Sequence, residues 1–281
     1  MNKKRDLLII LIIYIVSYAA GFIAASYVDG LIFKWFIFDT AATIVSFIFS
    51  TILRNSSVYD AYWSLTPMVM IICLFADGRA QSMFQLLFFV AFNIWSIRLT
   101  INWITVFTDF SYEDWRYIKF RNASPKLLWP LVNFFGIHYM PTLIVFAGML
   151  PIFKIITNPL GIKSLPGIII ILVGVALEYM ADRDMHEFLA SNNRSAVCQT
   201  GLWNYSRHPN YLGEITVWLG VYLTMLPYEL SFYYLGIGFI SVAVMFNIIS
   251  IPLMENRQKA KREAYKDYCK STSRLLILPK R

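Results

Sequence analysis

"LLIILIIYIVSYAAGFIAAS", residues 7–26, runs for twenty residues without a charge. An α-helix rises about 1.5 Å per residue, so such a run reaches across the roughly 30 Å hydrocarbon core of a bilayer. It is too long for the apolar core of a secretory signal. Its small residues, "AAGFIAAS", also lie inside the apolar run and not behind it. We read it as the first of a series of spans, near 7–28, 32–53, 62–76, 81–107, 127–152, 164–182, 210–226 and 230–253. Composition points the same way. Hydrophobic residues make up 58% and charged residues 15%, against about a quarter charged in soluble domains. The mean hydropathy is +0.55. The expected fold is all-α: one polytopic membrane helix bundle over 1–281, with about eight transmembrane helices. The third and seventh segments are short and the fourth is long, so a count of seven stands beside eight.

Charge placement orients the bundle. With the N-terminus inside, twenty of the 25 lysines and arginines fall on the cytoplasmic side: Lys3–Arg5, Arg54, four in 109–126, three in 183–207 and nine after Pro252. Lys34, Arg79, Lys154 and Lys163 fall on the other side, and Arg98 lies within a span. This is the asymmetry of the positive-inside rule. It places both termini in the cytoplasm, which favours an even count and leaves a cytoplasmic C-terminal tail. The net charge of +8 then reads as a cationic rim facing anionic lipid, not as a nucleic-acid surface. The membrane is a bacterial inner membrane or the endoplasmic reticulum. Cys73, Cys198 and Cys269 are odd in number and lack CxxC spacing, so neither a disulfide framework nor a metal site is expected. The polar segments 109–126 and 183–209 read as loops or interfacial helices. The tail after Met254 reads as helical to about Cys269, with Arg257, Lys261, Tyr265 and Tyr268 roughly one to a turn on one face.

Polar groups inside a bilayer are costly and usually face a protein interior. Arg98 and Asn102 are four apart in "FNIWSIRLTINW", so they share a helix face. Glu178, Asp182 and His186 form an i, i+4, i+8 stripe, which suits either a functional lining or a salt-bridge partner for Arg98 or Arg183. Asp39, Asn133, His138 and Asn247 are isolated polar points. His138 reads as a hydrogen-bonded core histidine, and the two asparagines as links between helices.

"GLWNYSRHPNYLGE", residues 201–214, is the most polar interruption. Gly201 permits a turn, and Pro209 suits the first turn of a helix. The N-terminus of that helix carries partial positive charge, with Arg207 and His208 just ahead of it. Backbone donors, a guanidinium fork and an imidazole together suit a phosphate. Asn210 and Glu214, one turn apart, suit sugar hydroxyls or an amide. Arg207 is equally able to snorkel to lipid headgroups while Pro209 merely starts a helix.

The chain resembles the steroid 5-alpha-reductase-like family of membrane enzymes, in particular its bacterial branch. The resemblance runs from about Asn55 onward and rests on seven blocks in order. They are "SSVYDAYWSLTP" (56–67), "RLTINW" (98–103), "YEDWRY" (112–117), "FFGIHYM" (134–140), "LEYMADRDMHEF" (177–188), "GLWNYSRHPNYLGE" (201–214) and the terminal "YKDYC…RLLILP". The "RHPNYLGE" segment is also similar to those of sterol C14-reductases and of isoprenylcysteine and phospholipid methyltransferases.

The resemblance implies a membrane-embedded reductase that uses NADPH to reduce a carbon–carbon double bond conjugated to a carbonyl, in a steroid-like or other apolar lipid. By that resemblance Asp182, Arg207, His208, Asn210, Tyr211 and Glu214 contact the cofactor. Arg98 and Asn102 line the same pocket, and Tyr268 closes over the nucleotide. Asp60 is the counterpart of an acidic residue that hydrogen-bonds the substrate carbonyl. Two departures break the steroid pattern: an aspartate stands for a glutamate, and Trp95 for the expected tyrosine. The chemistry needs water excluded and a donor where carbonyl charge develops. A buried, protonated Asp60 would serve, with Tyr59 and Tyr62 as further donors. The alternative is an S-adenosylmethionine-dependent methyltransferase of the isoprenylcysteine or phospholipid type. A non-catalytic transport protein fits less well, since transporters more often place charges and broken helices at the midplane.

Overall fold

The computed structural model describes residues 2–78, 82–191, 196–228 and 230–280. Arg79, Arg194 and Arg281 of the charge count lie outside the described residues. Among the described residues twelve α-helices follow one another: α1 (Lys3–Ala25), α2 (Leu31–Ile52), α3 (Tyr62–Ala76), α4 (Met83–Val106), α5 (Trp115–Ala123), α6 (Trp129–Val132), α7 (Met140–Thr157), α8 (Leu165–Ala190), α9 (Pro209–Met225), α10 (Ile237–Met245), α11 (Ile251–Lys261) and α12 (Ala264–Ser271). A 3₁₀ turn at Ser56–Tyr59 leads towards α3. π-helical stretches at Asn133–Tyr139 and Phe246–Ser250 join α6 to α7 and α10 to α11. No strand occurs among the described residues; the extended pairing they contain is an isolated parallel bridge between Ser206 and Ser273.

Among the described residues, seven helical segments are long and apolar enough to cross a membrane: Lys3–Ala25, Leu31–Ile52, Ser56–Ala76, Met83–Val106, Trp129–Thr157, Ile162–Ala190 and Tyr233–Lys261. The chain is thus an integral, multi-pass membrane protein. The seventh expected span, 210–226, folds as α9, a helix of 17 residues and so about 25 Å long. Two other expectations change. The 183–209 segment is helical at its start, because α8 continues to Ala190. The tail is not one helix to Cys269. The backbone is extended at Arg262, and α12 starts anew. The expected common face is therefore split: Tyr265 and Tyr268 are buried while Lys261 is exposed.

Backbone proximity divides the chain into two units, the first made of Met1–Ala80 and Leu99–Asn158, the second of Gln81–Arg98 and Pro159–Arg281. In the first, Gly30 (φ +84°) reverses the chain between α1 and α2. The two helices pack closely, for a Cβ at Gly21 would stand 2.7 Å from the Phe38 carbonyl oxygen. Ile10, Ile13, Tyr14, Ala42, Val58 and Tyr62 form the core there.

The second unit is built on α8 against α9. Gly167 and Gly174 on α8 and Gly213 and Gly220 on α9 each repeat at seven residues. A Cβ at Gly174 would lie 2.7 Å from the Gly213 carbonyl oxygen. One at Gly220 would lie 2.8 Å from that of Gly167. Small residues let two backbones touch, and dispersion over that contact is a main attraction between helices in lipid. The seam also sets function-bearing side chains. A Cβ at Gly213 would lie 2.5 Å from the Cγ of Glu178, so this glycine admits a carboxylate between the two helices.

Candidate functional site

Three buried polar clusters stand out, two in the second unit and one in the first. In the second unit, Arg98 of α4 pairs with both Glu178 and Asp182 of α8, the latter at 2.9 Å. The Glu178–Asp182 stripe is thus a salt-bridge partner for Arg98, one of its two expected readings. His186, next on the stripe, is exposed. Glu214 of α9 is buried, and its two oxygens accept from the indole N–H groups of Trp95 at 3.0 Å and Trp218 at 2.9 Å. The same two indoles meet edge to face, centroids 5.2 Å apart, and Phe92 packs on both. Trp95, placed by the resemblance where a tyrosine is expected, therefore serves as a donor that fixes a carboxylate. The Nε of Arg98 is buried without a hydrogen-bond partner.

A second group of polar side chains in this unit surrounds the start of α9. Gly201 adopts φ +51°, as the expected turn requires, and the following amide of Leu202 donates to buried Asp184 at 3.2 Å. His208 is the N-cap residue, Pro209 opens the helix, and no side chain caps that terminus. The Arg207 guanidinium is buried. Its Nε donates to Glu255 at 2.9 Å, and its Nη1 to the carbonyls of Cys269 (2.6 Å) and Thr272 (2.9 Å). It thereby satisfies carbonyls at the end of α12 that the helix itself leaves open. Glu255 also meets His208 Nε2 at 3.4 Å and Lys259 at 3.5 Å. His208 stacks on Tyr211, with centroids 5.5 Å apart and planes 5° apart. Tyr211 stacks in turn on Phe246, at 4.5 Å and 6°. Burial holds the His208 imidazole below its usual range, against the opposing pull of Glu255. Tyr268 is buried and donates to the carbonyls of Trp203 (2.5 Å) and Ser206 (3.2 Å), and burial raises its phenol. Asn210 is half-buried on the first turn of α9.

The tail beyond α12 lies along the same polar segment. The Arg207 amide donates to Ser273 at 2.9 Å, Ser206 Oγ to Leu275 at 2.7 Å, and the Leu278 amide to Tyr205 at 3.4 Å. Arg98, Asp182, Arg207, His208, Asn210, Tyr211, Glu214 and Tyr268 all belong to this unit. Asn102, half-buried, falls in the first unit by the division of the chain.

In the first unit the buried polar groups are mostly hydroxyls. Tyr62 donates to Asp39 Oδ1 at 2.9 Å, and Thr43 to Tyr62 at 3.2 Å. Thr43 meets Thr142 at 2.9 Å, and Thr142 meets Tyr59 at 2.6 Å. Tyr59 and Tyr62 stack at 4.9 Å, and Tyr59 packs on His138 at 4.8 Å. His138 is a fully buried core histidine whose Nδ1 bonds the Asn133 carbonyl at 3.0 Å. A carbonyl only accepts, so Nδ1 carries the proton. Asn133 links segments as expected, through Ser56 at 2.9 Å. Asn247 instead donates to Ala243 of its own helical rod.

Asp60 is half-buried and accepts from Tyr117 at 2.6 Å. The two blocks "SSVYD" and "YEDWRY" lock together around that bond. Ser56 donates its amide to Glu113, Ser57 Oγ accepts from the Asp114 amide, and Asn55 donates to the carbonyls of Phe110 and Tyr112, all at 2.8–3.0 Å.

Sequence reading missed three partners: Asp39 for Tyr62, Glu255 for Arg207 and His208, and Asp184 for the loop at Gly201. A signal was present for two of them. Asp39 is a lone acid in an apolar run, and Glu255 is the first acid after a long apolar stretch.

No solved structure matches the chain. A curated uncharacterised protein of Schizosaccharomyces pombe is 25% identical over 225 residues, which is 64% of this chain and 62% of that protein. The chain thus spans less than two thirds of that relative. A family model described as "Protein of unknown function (DUF1295)" matches residues 46–272, and the chain belongs to that family.

Proposed function

We propose that this protein is a membrane-embedded, NADPH-dependent reductase of a carbon–carbon double bond conjugated to a carbonyl in an apolar lipid. It follows the steroid 5-alpha-reductase-like family that its motif blocks resemble. The observation that carries the reading is the gathering of eight of the nine expected cofactor residues in one unit, with Arg207, His208 and Glu214 buried. Buried ionisable residues in membrane helices are expensive and mark functional sites by default.

The residues suit a dinucleotide. The α9 N-terminus lacks a side-chain cap and stands beside Arg207 and His208, which favours a phosphate there. The rings of His208, Tyr211 and Phe246 lie parallel in one stack beside that terminus. A dinucleotide bound there would supply the hydride. Arg207 and His208 would stand nearest its phosphate, Arg207 with only Nη2 not spent on Glu255 and the Cys269 and Thr272 carbonyls. Tyr268 keeps the tail against the site, and the Phe92–Trp95–Trp218 cluster keeps water out. In the first unit, Asp60 and Tyr62 are the residues that the resemblance implies as donors to a developing enolate oxygen; there Tyr62 donates to Asp39 and Asp60 accepts from Tyr117. Both termini are assigned to the cytoplasm on the charge asymmetry, with α9 as the seventh of eight crossings; reporters before Met1 and after Arg281 should give same-side signals, and opposite-side signals would refute it.

A thermal-shift titration of detergent-solubilised protein tests the cofactor. NADPH at about a hundred times its Kd should stabilise by about 2.7 kcal/mol. Stabilisation by S-adenosylmethionine with none from NADPH would transfer the case to the methyltransferase reading.

A further inference from the structure

The residues after α12 lie beyond the last membrane-spanning segment, yet they expose apolar side chains. Leu276 is 57% exposed, Ile277 38% and Leu278 43%. Their backbone is held in place by the bonds of Ser206 to Leu275 and of Leu278 to Tyr205, so the three side chains are presented on a fixed strap. Tyr205, 43% exposed, belongs to the same surface. Exposed Lys270, Arg274 and Lys280 flank the triplet.

The strap is continuous with a lipid-facing surface. Arg274 Nη2 donates to the Asn247 carbonyl at 2.7 Å, and Asn247 lies inside the span Tyr233–Lys261. The next residue along that span, Ile248, is 69% exposed, as a lipid-facing residue is. A span of 29 residues is about 43 Å long, so it outruns the roughly 30 Å hydrocarbon core. Apolar side chains rimmed by cations, beside such a span, have the character of an interfacial anchor.

We propose that the strap Arg274–Lys280 is seated in the headgroup region of an anionic leaflet, with Leu276, Ile277 and Leu278 against the acyl boundary and Arg274 and Lys280 against lipid phosphates. Arg207 and Tyr268 clasp the other side of the same tail. The lipid surface and the buried Arg207 cluster therefore hold one segment between them, and lipid charge tunes how firmly the tail is closed. This assignment stands whether or not the reductase reading holds.

Spin-label accessibility in nanodiscs tests it. Ile277→Cys is labelled in a full chain whose Cys73, Cys198 and Cys269 are replaced by alanine. The discs contain phosphatidylcholine alone or with phosphatidylglycerol. The label should collide with oxygen, which concentrates in lipid, and be shielded from a water-soluble nickel chelate, more so with phosphatidylglycerol. Free access to the chelate in both lipids overturns the proposal. So does shielding from both reagents, which would mean a protein partner covers the strap. A second measurement needs no label. Leu276→Ser with Leu278→Ser removes two anchoring side chains, and protease cleavage of the tail in anionic discs should rise by about tenfold or more. An unchanged cleavage rate in a variant with wild-type melting temperature overturns it equally.

Discussion

The two units bury their polar groups by different means. In the first, an Asp39–Tyr62–Thr43–Thr142–Tyr59 chain satisfies one carboxyl with hydroxyls alone. In the second, Arg98 faces Glu178 and Asp182, and Arg207 faces Glu255. Hydroxyl networks are tolerant, since each O–H can turn to another acceptor. Ion pairs in a low dielectric are not: removing one partner strands a charge. The unit that concentrates the "RHPNYLGE" block is also the one that would lose most from a single substitution.

The backbone seam of the second unit should be the most sensitive point. Gly213→Val drives a side chain into the Glu178 Cγ and against the backbone of Gly174 and Glu178, and the backbone atoms cannot yield. Overpacking usually costs about 1–3 kcal/mol, and here the carboxylate pairing beside the seam goes with it. The expected outcome is failure to recover a monodisperse protein in size-exclusion chromatography, whereas Gly136→Ala, with open space around it, should behave as wild type.

Arg98→Ala should cost about 3–5 kcal/mol, because Glu178 is left buried without its cation. Tyr62→Phe, the matched change in the first unit, removes one neutral hydrogen bond and should cost about 1 kcal/mol. Melting curves of the two variants side by side measure the comparison directly. Equal losses would show that the units bury polarity at equal cost.

Arg207→Ala should free the tail, since two carbonyls and Glu255 lose their donor, at about 1.5–3 kcal/mol for a charge-assisted contact. Faster proteolysis after Lys270 and weaker NADPH binding are the readouts. Tail release with unchanged NADPH affinity would separate the structural role of Arg207 from the proposed one. Asp60→Asn probes the donor role in the first unit. It should leave NADPH binding unchanged and lower turnover in part, as the amide still donates. Loss of melting temperature with full specific activity would remove Asp60 from the site and leave its bond to Tyr117 as its whole role.

The smallest effect concerns pH. The folded state depresses the His208 pKa, so the unfolded state takes up a proton first as pH falls. The corresponding stability is fully present above the unfolded value of about 6.5. It is lost as pH falls through the lower, folded value. Tail protection from protease should therefore weaken on acidification below about pH 6.5 in wild type, and a His208→Gln variant should lack that step. Persistence of the step in the variant would assign it to another group.

Much of this architecture was legible in the chain, for a physical reason. Hydrocarbon demands that backbone groups be satisfied within the segment, so an uncharged run of about twenty residues can become little else than a helix. That the 178–182 stripe needs a partner or a lining role followed from spacing and from the cost of burying charge, with Arg98 and Arg183 both left open as its cation. So did Pro209 opening a helix and Gly201 making a turn. These are local or one-body properties. Neighbours were another matter. Periodicity does not show that glycines at 167, 174, 213 and 220 meet across two helices, because seven-residue repeats in separate segments carry no pairing information. Nor does composition show that Arg207, which suits a phosphate on its own, spends Nε and Nη1 on Glu255 and the tail, or that Tyr62 answers to Asp39. The break at Arg262 is likewise tertiary: it turns Tyr265 and Tyr268 inward, against a helical pattern that local propensity would have continued. Sequence alone determined that the chain is a helical membrane protein and which polar residues must be accommodated. Tertiary structure decided the partner of each one, because a buried charge or hydroxyl is satisfied by whatever the packing of distant segments brings within about 3 Å.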